Sequence, residues 1–257
     1  MKRIKLALIL TSLLATYGCA KDYSLAPPAH GDSISVTLKV PVELVPDAMQ
    51  VMYRSSTCRR LTRGGSGQRV ELDGYHATKV ELKRQDQSNL YRTVLIKDGG
   101  GACKWQLANI TFGVSYAEHV KFGEGITHGS GAGVVVKFDG NKSPRDGYTR
   151  EVKGDLTMIK DYYPSVYENH LGGYRKTVRL RGEGETYMIY KALSAREIYF
   201  EPVLHSDYIV YTVGPKVKKP GNHAKITYPD GSVQSDGRWG PDFRKLQAIR
   251  LKAEGKE

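Results

Sequence analysis

Hydrophobic and polar residues alternate with a period of two along much of the chain. Between residues 34 and 42, Ile34, Val36, Leu38 and Val40 fall on one face. This alternation is typical of a β-strand with one buried face. The same pattern, or a short run of β-branched and aromatic residues, predicts further strands around Val51 and at 77–84, 90–97, 107–116, 133–139, 173–182, 185–193, 196–204, 207–214 and 224–234.

The pattern changes to a helical one at the C-terminus. Pro241 follows Gly240, and Phe243, Leu246 and Ile249 then recur at helical spacing. Proline is favoured at the first position of a helix, so a helix is expected after it. The sequence therefore predicts an all-β fold of mainly antiparallel, sandwich or barrel-like sheets, with a C-terminal α-helix.

The β-rich domain is expected to span residues 34–257. Its length suits either one large β unit or two sub-domains. Segments 122–133 and 139–147 are rich in glycine or polar residues, so a division into sub-domains would fall near 122–147.

The N-terminus has the pattern of a secretory signal. Lys2, Arg3 and Lys5 precede a mostly apolar run at 6–14. About 20 apolar residues are needed to span a bilayer as a helix, and this run is about half that length. Residues 1–18 are therefore predicted to be a signal peptide.

The signal segment ends at a single cysteine. Gly18-Cys19 resembles the end of a bacterial lipobox, in which the cysteine is lipidated and becomes the new N-terminus. That resemblance implies lipid attachment at Cys19. The alternative is cleavage after Ala20, with Gly18 and Ala20 as the small residues of an ordinary signal-peptidase site.

A spacer follows this cysteine. Residues 19–33 are rich in proline, alanine and glycine and have no apolar period, which predicts a flexible tether. Several acyl chains together anchor a protein stably. Ala20, rather than aspartate, follows Cys19, and by resemblance to lipoprotein sorting rules this favours the outer membrane. The expected location is the periplasm, with the domain anchored by its N-terminal lipid.

The remaining cysteines form an even pair. Of three cysteines, Cys58 and Cys103 are left once Cys19 is lipidated or removed. In an oxidising periplasm an even pair predicts a disulfide, and two unrelated buried thiols are the alternative. Neither cysteine has a second Cys or His at ligand spacing, so no metal site is expected.

The formal charge of +12 is concentrated in part in the segment 54–69, which has five arginines and no acid. One interpretation is an electropositive patch that meets an acidic protein or anionic headgroups, and the other is a solvated loop. Arginine pairs with carboxylates in a bidentate manner, which favours recognition. Arg59, Arg60 and Arg63 are the candidate partner contacts. Nucleic acid is not an expected partner in the cell envelope.

The 17 tyrosines outnumber the five phenylalanines, and several lie between 161 and 174. Exposed tyrosines are common at protein interfaces. Tyrosine is equally common in strands, with its ring half-buried and its hydroxyl in water.

Catalytic motifs are absent from the sequence. His128-Gly129-Ser130-Gly131 has histidine where the nucleophile elbow requires glycine, and a predicted strand follows it. No phosphate-binding glycine loop or His-Glu-x-x-His motif occurs, so no catalytic residue and no cofactor are predicted. Catalytic triads are dispersed in sequence, so an envelope hydrolase stays an alternative.

The layout as a whole resembles the periplasmic immunity lipoproteins of type VI secretion systems, notably those that guard against phospholipase effectors. The resemblance rests on the signal that ends at Cys19, the tether, the Cys58 and Cys103 pair and the basic β-rich body. It implies that the protein binds and neutralises a toxin delivered by a neighbouring cell. A structural or assembly lipoprotein of the envelope is a further alternative.

Overall fold

The computed structural model describes residues 22–118, 120–129, 131–141, 149–184 and 187–256. The predicted signal peptide, Cys19 and Ser130 lie outside the described residues. Strands account for 52% and helix for 6% of the structure, which confirms the predicted β fold with a C-terminal helix.

Within these residues the chain forms eighteen strands, one short 3-10 turn at Val120–Phe122 and the helix α1 (Phe243–Ala253). The strands are β1 (Ser33–Lys39), β2 (Leu44–Pro46), β3 (Met49–Arg63), β4 (Arg69–Val80), β5 (Lys83–Arg84), β6 (Leu90–Ile96), β7 (Asp98–Gly100), β8 (Trp105–Tyr116), β9 (Ile126–His128), β10 (Ala132–Lys137), β11 (Thr149–Glu151), β12 (Leu156–Asn169), β13 (Arg175–Arg181), β14 (Tyr187–Lys191), β15 (Glu197–Leu204), β16 (Val210–Val213), β17 (Lys225–Thr227) and β18 (Val233–Gln234).

The strands form two mixed sheets. The first has the order β18-β17-β16-β12-β15-β1-β6-β5, and β13 pairs with β12 and with β9. The second has the order β11-β14-β10-β8-β3-β4, and β2 and β7 pair with β8. In the first sheet the neighbours β16, β12, β15 and β1 run parallel, whereas β1 and β6 are antiparallel.

The main core lies where apolar faces of both sheets meet. Ile34, Val36 and Leu38 of β1 are fully buried, while the residues between them are only half-buried. Phe112 of β8 and Phe200 of β15 meet edge to face, with ring centroids 6.0 Å apart. The two-residue period of the sequence therefore corresponds to burial on one face of each sheet.

A second, smaller core lies under the C-terminal helix. Leu246 of α1 is fully buried and packs with Tyr163, Val210 and Ile226. Asp242 caps the helix, because its Oδ1 accepts hydrogen bonds from the backbone N–H groups of residues 244 and 245 at 2.9 and 3.3 Å. The helix is therefore fixed at both its face and its first turn.

The longest strand of the first sheet, β12, has no counterpart among the predicted strands. Its residues up to Tyr162 pair with β15, and its residues from Ser165 pair with β16. Pro164 lies at the change of neighbour, where a missing backbone N–H is tolerated. The predicted strand at 77–84 is divided between the end of β4 and β5.

Part of the predicted tether lies against the domain. The indole Nε1–H of Trp105 donates to the carbonyl oxygen of Tyr23 at 3.1 Å, and the Ala26 N–H donates to the carbonyl of Gly99 at 2.9 Å. The Asp22 carbonyl oxygen lies 3.6 Å from the Sγ of Cys103. The chain is thus in contact with the domain from Asp22 onward.

Strands from both sides of the stretch 122–147 pair within the same sheets. In the first sheet β1, which precedes this stretch, pairs with β15, which follows it, and in the second sheet β10, within the stretch, pairs with β8 before it and β14 after it. The division into two sub-domains stays a prediction, and it would separate hydrogen-bonded strands. In the described part of the chain, no helix combines the length and apolar character that crossing a bilayer requires.

Candidate functional site

Two strands of the second sheet extend beyond their neighbour. β3 pairs with β8 only as far as Arg54, but it pairs with β4 up to Arg63, which lies opposite Arg69. We call residues 59–72 the arm. Leu61 and Leu72 on the arm are 71% and 41% exposed, so the arm leaves the core and presents both faces to solvent.

A disulfide fixes the base of the arm. Cys58 and Cys103 are both buried and bonded, with their Cα atoms 5.2 Å apart, which confirms the predicted pair. The hydroxyl of Ser55 donates to the carbonyl oxygen of Cys103 and accepts from the Cys58 N–H at 2.8 Å. The register of β3 against β4 shifts between Ser55 and Arg60, and these bonds hold the irregular segment in place.

Close backbone packing adds to this anchorage. A Cβ at Gly74 would overlap the carbonyl oxygen of Cys58, so only glycine fits there. The buried ring of Trp105 lies beside the same glycine and contacts the ring of His76 at a centroid distance of 5.7 Å. The arm therefore extends from a rigid base.

The three predicted contact arginines all lie on the arm, but their surroundings differ. Arg59 forms an ion pair with Glu71 at 2.9 Å and approaches Asp73 at 4.0 Å. The guanidinium of Arg60 lies 4.9 Å from the ring centroid of Tyr75. Arg59 is therefore largely neutralised, whereas Arg60 has an aromatic partner that leaves its charge unbalanced.

The end of the arm has the strongest positive charge. Arg63 and Arg69 are directly opposite each other on neighbouring strands. In the part of the chain that the structure describes, neither guanidinium forms an ion pair. Like charges in this position repel, so the pair destabilises the isolated arm and would gain from an acidic partner.

A groove runs along one side of the arm. It has a volume of about 530 Å³. Its lining is mostly charged and polar and consists of Met52, Arg54, Arg59, Arg60, Glu71, Leu72, Asp73, Tyr75 and Asn141. Arg54 of this lining forms an ion pair of 2.9 Å with Asp139. Arginine and tyrosine beside a concave surface are typical of residues that dominate protein interfaces.

Sequence reasoning found the arginines but not their arrangement. The sequence of segment 54–69 predicted either a basic patch or a solvated loop. The structure places this segment in β3, a hairpin turn and the start of β4. Glu71, Asp73 and Tyr75 were missed. The glycine-rich stretch 64–67 between two polar strands was the available signal for a hairpin.

A polar cluster joins α1 to the first sheet. The Nε2 of His205 lies 2.6 Å from Asp161 Oδ1, and Gln247 donates to Asp161 Oδ2 at 2.9 Å. The ring of Tyr163 stacks on His205 at 5.0 Å, and its hydroxyl accepts from Arg250 Nε at 3.0 Å. These contacts span β12, the end of β15 and the helix.

The pKa of Asp161 reflects this environment. Burial raises the pKa of the carboxyl, but the hydrogen bonds from His205 and Gln247 outweigh it, so the pKa lies below its ordinary value. A hydrolase would use such a pair beside a nucleophile. The neighbouring Ser206 hydroxyl instead donates to Glu43 at 2.6 Å. The bonds from Gln247 to Asp161 and from Arg250 to Tyr163 hold the helix on the sheet.

Comparisons with known proteins gave no relative. No protein-family model matches this chain, and no curated protein or solved structure matches it. Among the described residues, no group of three or more His, Cys, Asp and Glu side chains is placed to hold a metal ion. The arm and the groove beside it are therefore the best candidate for an interaction site.

Proposed function

We propose that this protein is a lipid-anchored periplasmic immunity protein that binds a secreted antibacterial effector of the lipase type and neutralises it. The observation that carries the proposal is the rigidly based arm with the unpaired Arg63 and Arg69 at its end. The partner is a protein with an acidic surface, and the arm enters or covers the approach to its active site.

The chemistry of the arm supports a protein partner. Arg60 on Tyr75 and the exposed Leu72, which lies opposite Arg60, combine charge with apolar area on one face of the arm. A rigid base limits the conformational entropy that binding costs. Complementary charge also speeds the encounter with the partner, which matters for a protein that must reach a toxin before its substrate does.

The position of the N-terminal segment supports a site at the membrane. Cys19 is three residues from Asp22, and three residues span at most about 10 Å. The Asp22 carbonyl contacts Cys103, at the base of the arm. A lipid on Cys19 would therefore hold the arm near the bilayer surface, where a lipase acts. Such tethering raises the local concentration of the protector.

The proposal is tested with the purified protein and the purified product of the gene beside its own. We expect a one-to-one complex by size-exclusion chromatography and calorimetry. Replacing Arg60, Arg63 and Arg69 together by glutamine should weaken the complex at least tenfold and abolish protection of cells that express the effector in the periplasm.

A matched control uses the second basic run of the chain. Replacement of Lys216, Lys218 and Lys219 by glutamine removes the same charge from an exposed segment far from the arm in sequence. It should leave binding and protection unchanged. Equal losses in both triple variants, or no complex with the neighbouring gene product, would contradict the proposal. If the protein co-purifies with resident envelope proteins and not with the neighbouring gene product, it is an assembly lipoprotein instead.

A further inference from the structure

A second cavity lies between the first sheet and the segment that leads into α1. It has a volume of about 220 Å³. Its floor is formed by β12, β13 and β16, and Trp239, Gly240 and Pro241 form a wall. Ligand pockets for drug-sized molecules usually measure about 300–1,000 Å³, so the occupant of this cavity is compact.

Two arginines of β13 line this cavity. Arg179 and Arg181 are two residues apart and therefore point to the same face of the sheet. Arg179 lies over the ring of Tyr167 at 5.3 Å. The lining also contains Glu183, whose carboxylate lies 3.9 Å from Lys160. In the described chain neither arginine has an ion-pair partner, so the cavity is electropositive.

Two polar groups that line the same cavity have no hydrogen-bond partner among the described residues. Thr212 is 1% exposed, and its hydroxyl has no hydrogen-bond partner among the described residues. The same holds for the buried Nε of Arg181. Ser165 adds a second buried hydroxyl beside them. Buried polar groups are nearly always satisfied in proteins, so two groups without a protein partner at one cavity are available to bind a polar ligand.

The mouth of the cavity carries an exposed aromatic ring. Trp239 is 91% exposed although tryptophan is usually covered. It lies immediately before Gly240 and the helix cap Asp242, whose side chain is already occupied by the helix N–H groups. The anion-binding groups are therefore the arginines and hydroxyls, and the indole is free to cover a ring of the ligand.

We infer that this cavity binds a phosphate group carried by a small ligand with a flat ring. Guanidinium and hydroxyl donors converge from three strands, which suits a tetrahedral anion with several acceptor oxygens better than a planar carboxylate. Arg179 and Arg181 bind the oxygens, Ser165 and Thr212 add hydroxyl donors, and Trp239 stacks on the ring. This site is independent of the arm and of the proposed immunity role.

Tryptophan fluorescence provides the test, since the chain has two tryptophans and Trp105 is buried. Inorganic phosphate and phenyl phosphate should each change the emission of Trp239 in a saturable manner. Phenyl phosphate should bind several-fold more tightly because its ring contacts the indole. A separate titration uses vesicles that contain phosphatidylglycerol, which distinguishes a lipid phosphodiester from a soluble phosphate ligand.

Phosphate binding by three variants, measured by calorimetry and by fluorescence, tests the inference. Arg181→Gln should weaken phenyl phosphate binding at least tenfold, and Arg175→Gln, an exposed arginine of the same strand outside the cavity, should not. Thr212→Val should weaken binding and raise the melting temperature of the free protein, because it removes an unsatisfied hydroxyl. No saturable binding of any phosphate probe, or equal losses in Arg175→Gln and Arg181→Gln, would overturn the inference.

Discussion

Arg63 lies directly opposite Arg69 at the end of the arm, and in the described chain neither forms an ion pair. Like charges opposite each other destabilise a strand pair by about 0.2–1 kcal/mol. A partner with an acidic surface would offset this repulsion on binding.

Arg63→Glu should therefore stabilise the arm while it weakens partner binding. The new carboxylate would pair with Arg69, and the arm would open less often. Amide hydrogen exchange at residues 60–70 should slow by about 1.4- to 5-fold relative to the parent. Arg63→Gln is the control, because it removes repulsion without adding attraction. Faster exchange in Arg63→Glu than in Arg63→Gln would refute this account of the pair.

Gly74→Ala should destabilise the protein at the base of the arm. The added methyl group would overlap the Cys58 carbonyl oxygen, and forced overpacking costs about 1–3 kcal/mol. Gly65→Ala is the matched control, because a Cβ at Gly65 meets nothing within 4 Å. Its free energy of unfolding should stay within about 0.5 kcal/mol of the parent. Urea unfolding of both variants checks the difference, and similar midpoints would show that the backbone at Gly74 yields easily.

The double variant Cys58→Ser/Cys103→Ser should lower the free energy of unfolding by about 4 kcal/mol in the chain-entropy model. The bond closes a loop with a sequence separation of 45 residues. The arm should lose more protection than the sheets, because the disulfide ties its base to the segment before β8. Urea unfolding and hydrogen exchange test both points. A stability equal to that of the oxidised parent would mean that the disulfide is dispensable.

Strands with one buried face were predictable from the sequence because their alternation records the core directly. β1 is the clearest case, since Ile34, Val36 and Leu38 are fully buried. The helix was predictable because Phe243, Leu246 and Ile249 recur at helical spacing. The expectation that Pro241 is its first residue was wrong, because Asp242 caps the helix and Pro241 precedes the cap. The disulfide followed from the count of cysteines and the expected compartment, without any knowledge of the fold.

Other features depend on contacts that local patterns do not record. β12 escaped prediction because Pro164 interrupts it, and only the change of neighbour from β15 to β16 makes proline acceptable there. The arm was not predicted as strands, because it leaves the core and its sequence therefore lacks the apolar period of two. The cavity beside Arg179 and Thr212 combines three strands and a distant loop, so its residues share no motif.

The hydrogen bonds of Asp161 predict how stability depends on pH. Although burial raises the pKa of this carboxyl, the hydrogen bonds from His205 and Gln247 lower it below the ordinary value of 3.8. A carboxyl with a lowered pKa in the folded state stabilises the fold above its unfolded pKa. That stabilisation is lost as the pH falls through the folded pKa. The loss is therefore expected below about pH 4.

Asp161→Asn should accordingly be less stable than the parent near pH 7, because an amide nitrogen would face one of the two donors. Near pH 3 the difference should shrink, since the parent carboxyl is then becoming protonated. Urea midpoints at both pH values measure this gap. Asp207→Asn serves as the control, because Asp207 is an exposed carboxylate close to His205 in sequence. A gap for Asp161→Asn that is the same at both pH values would show that its hydrogen bonds do not depend on its charge.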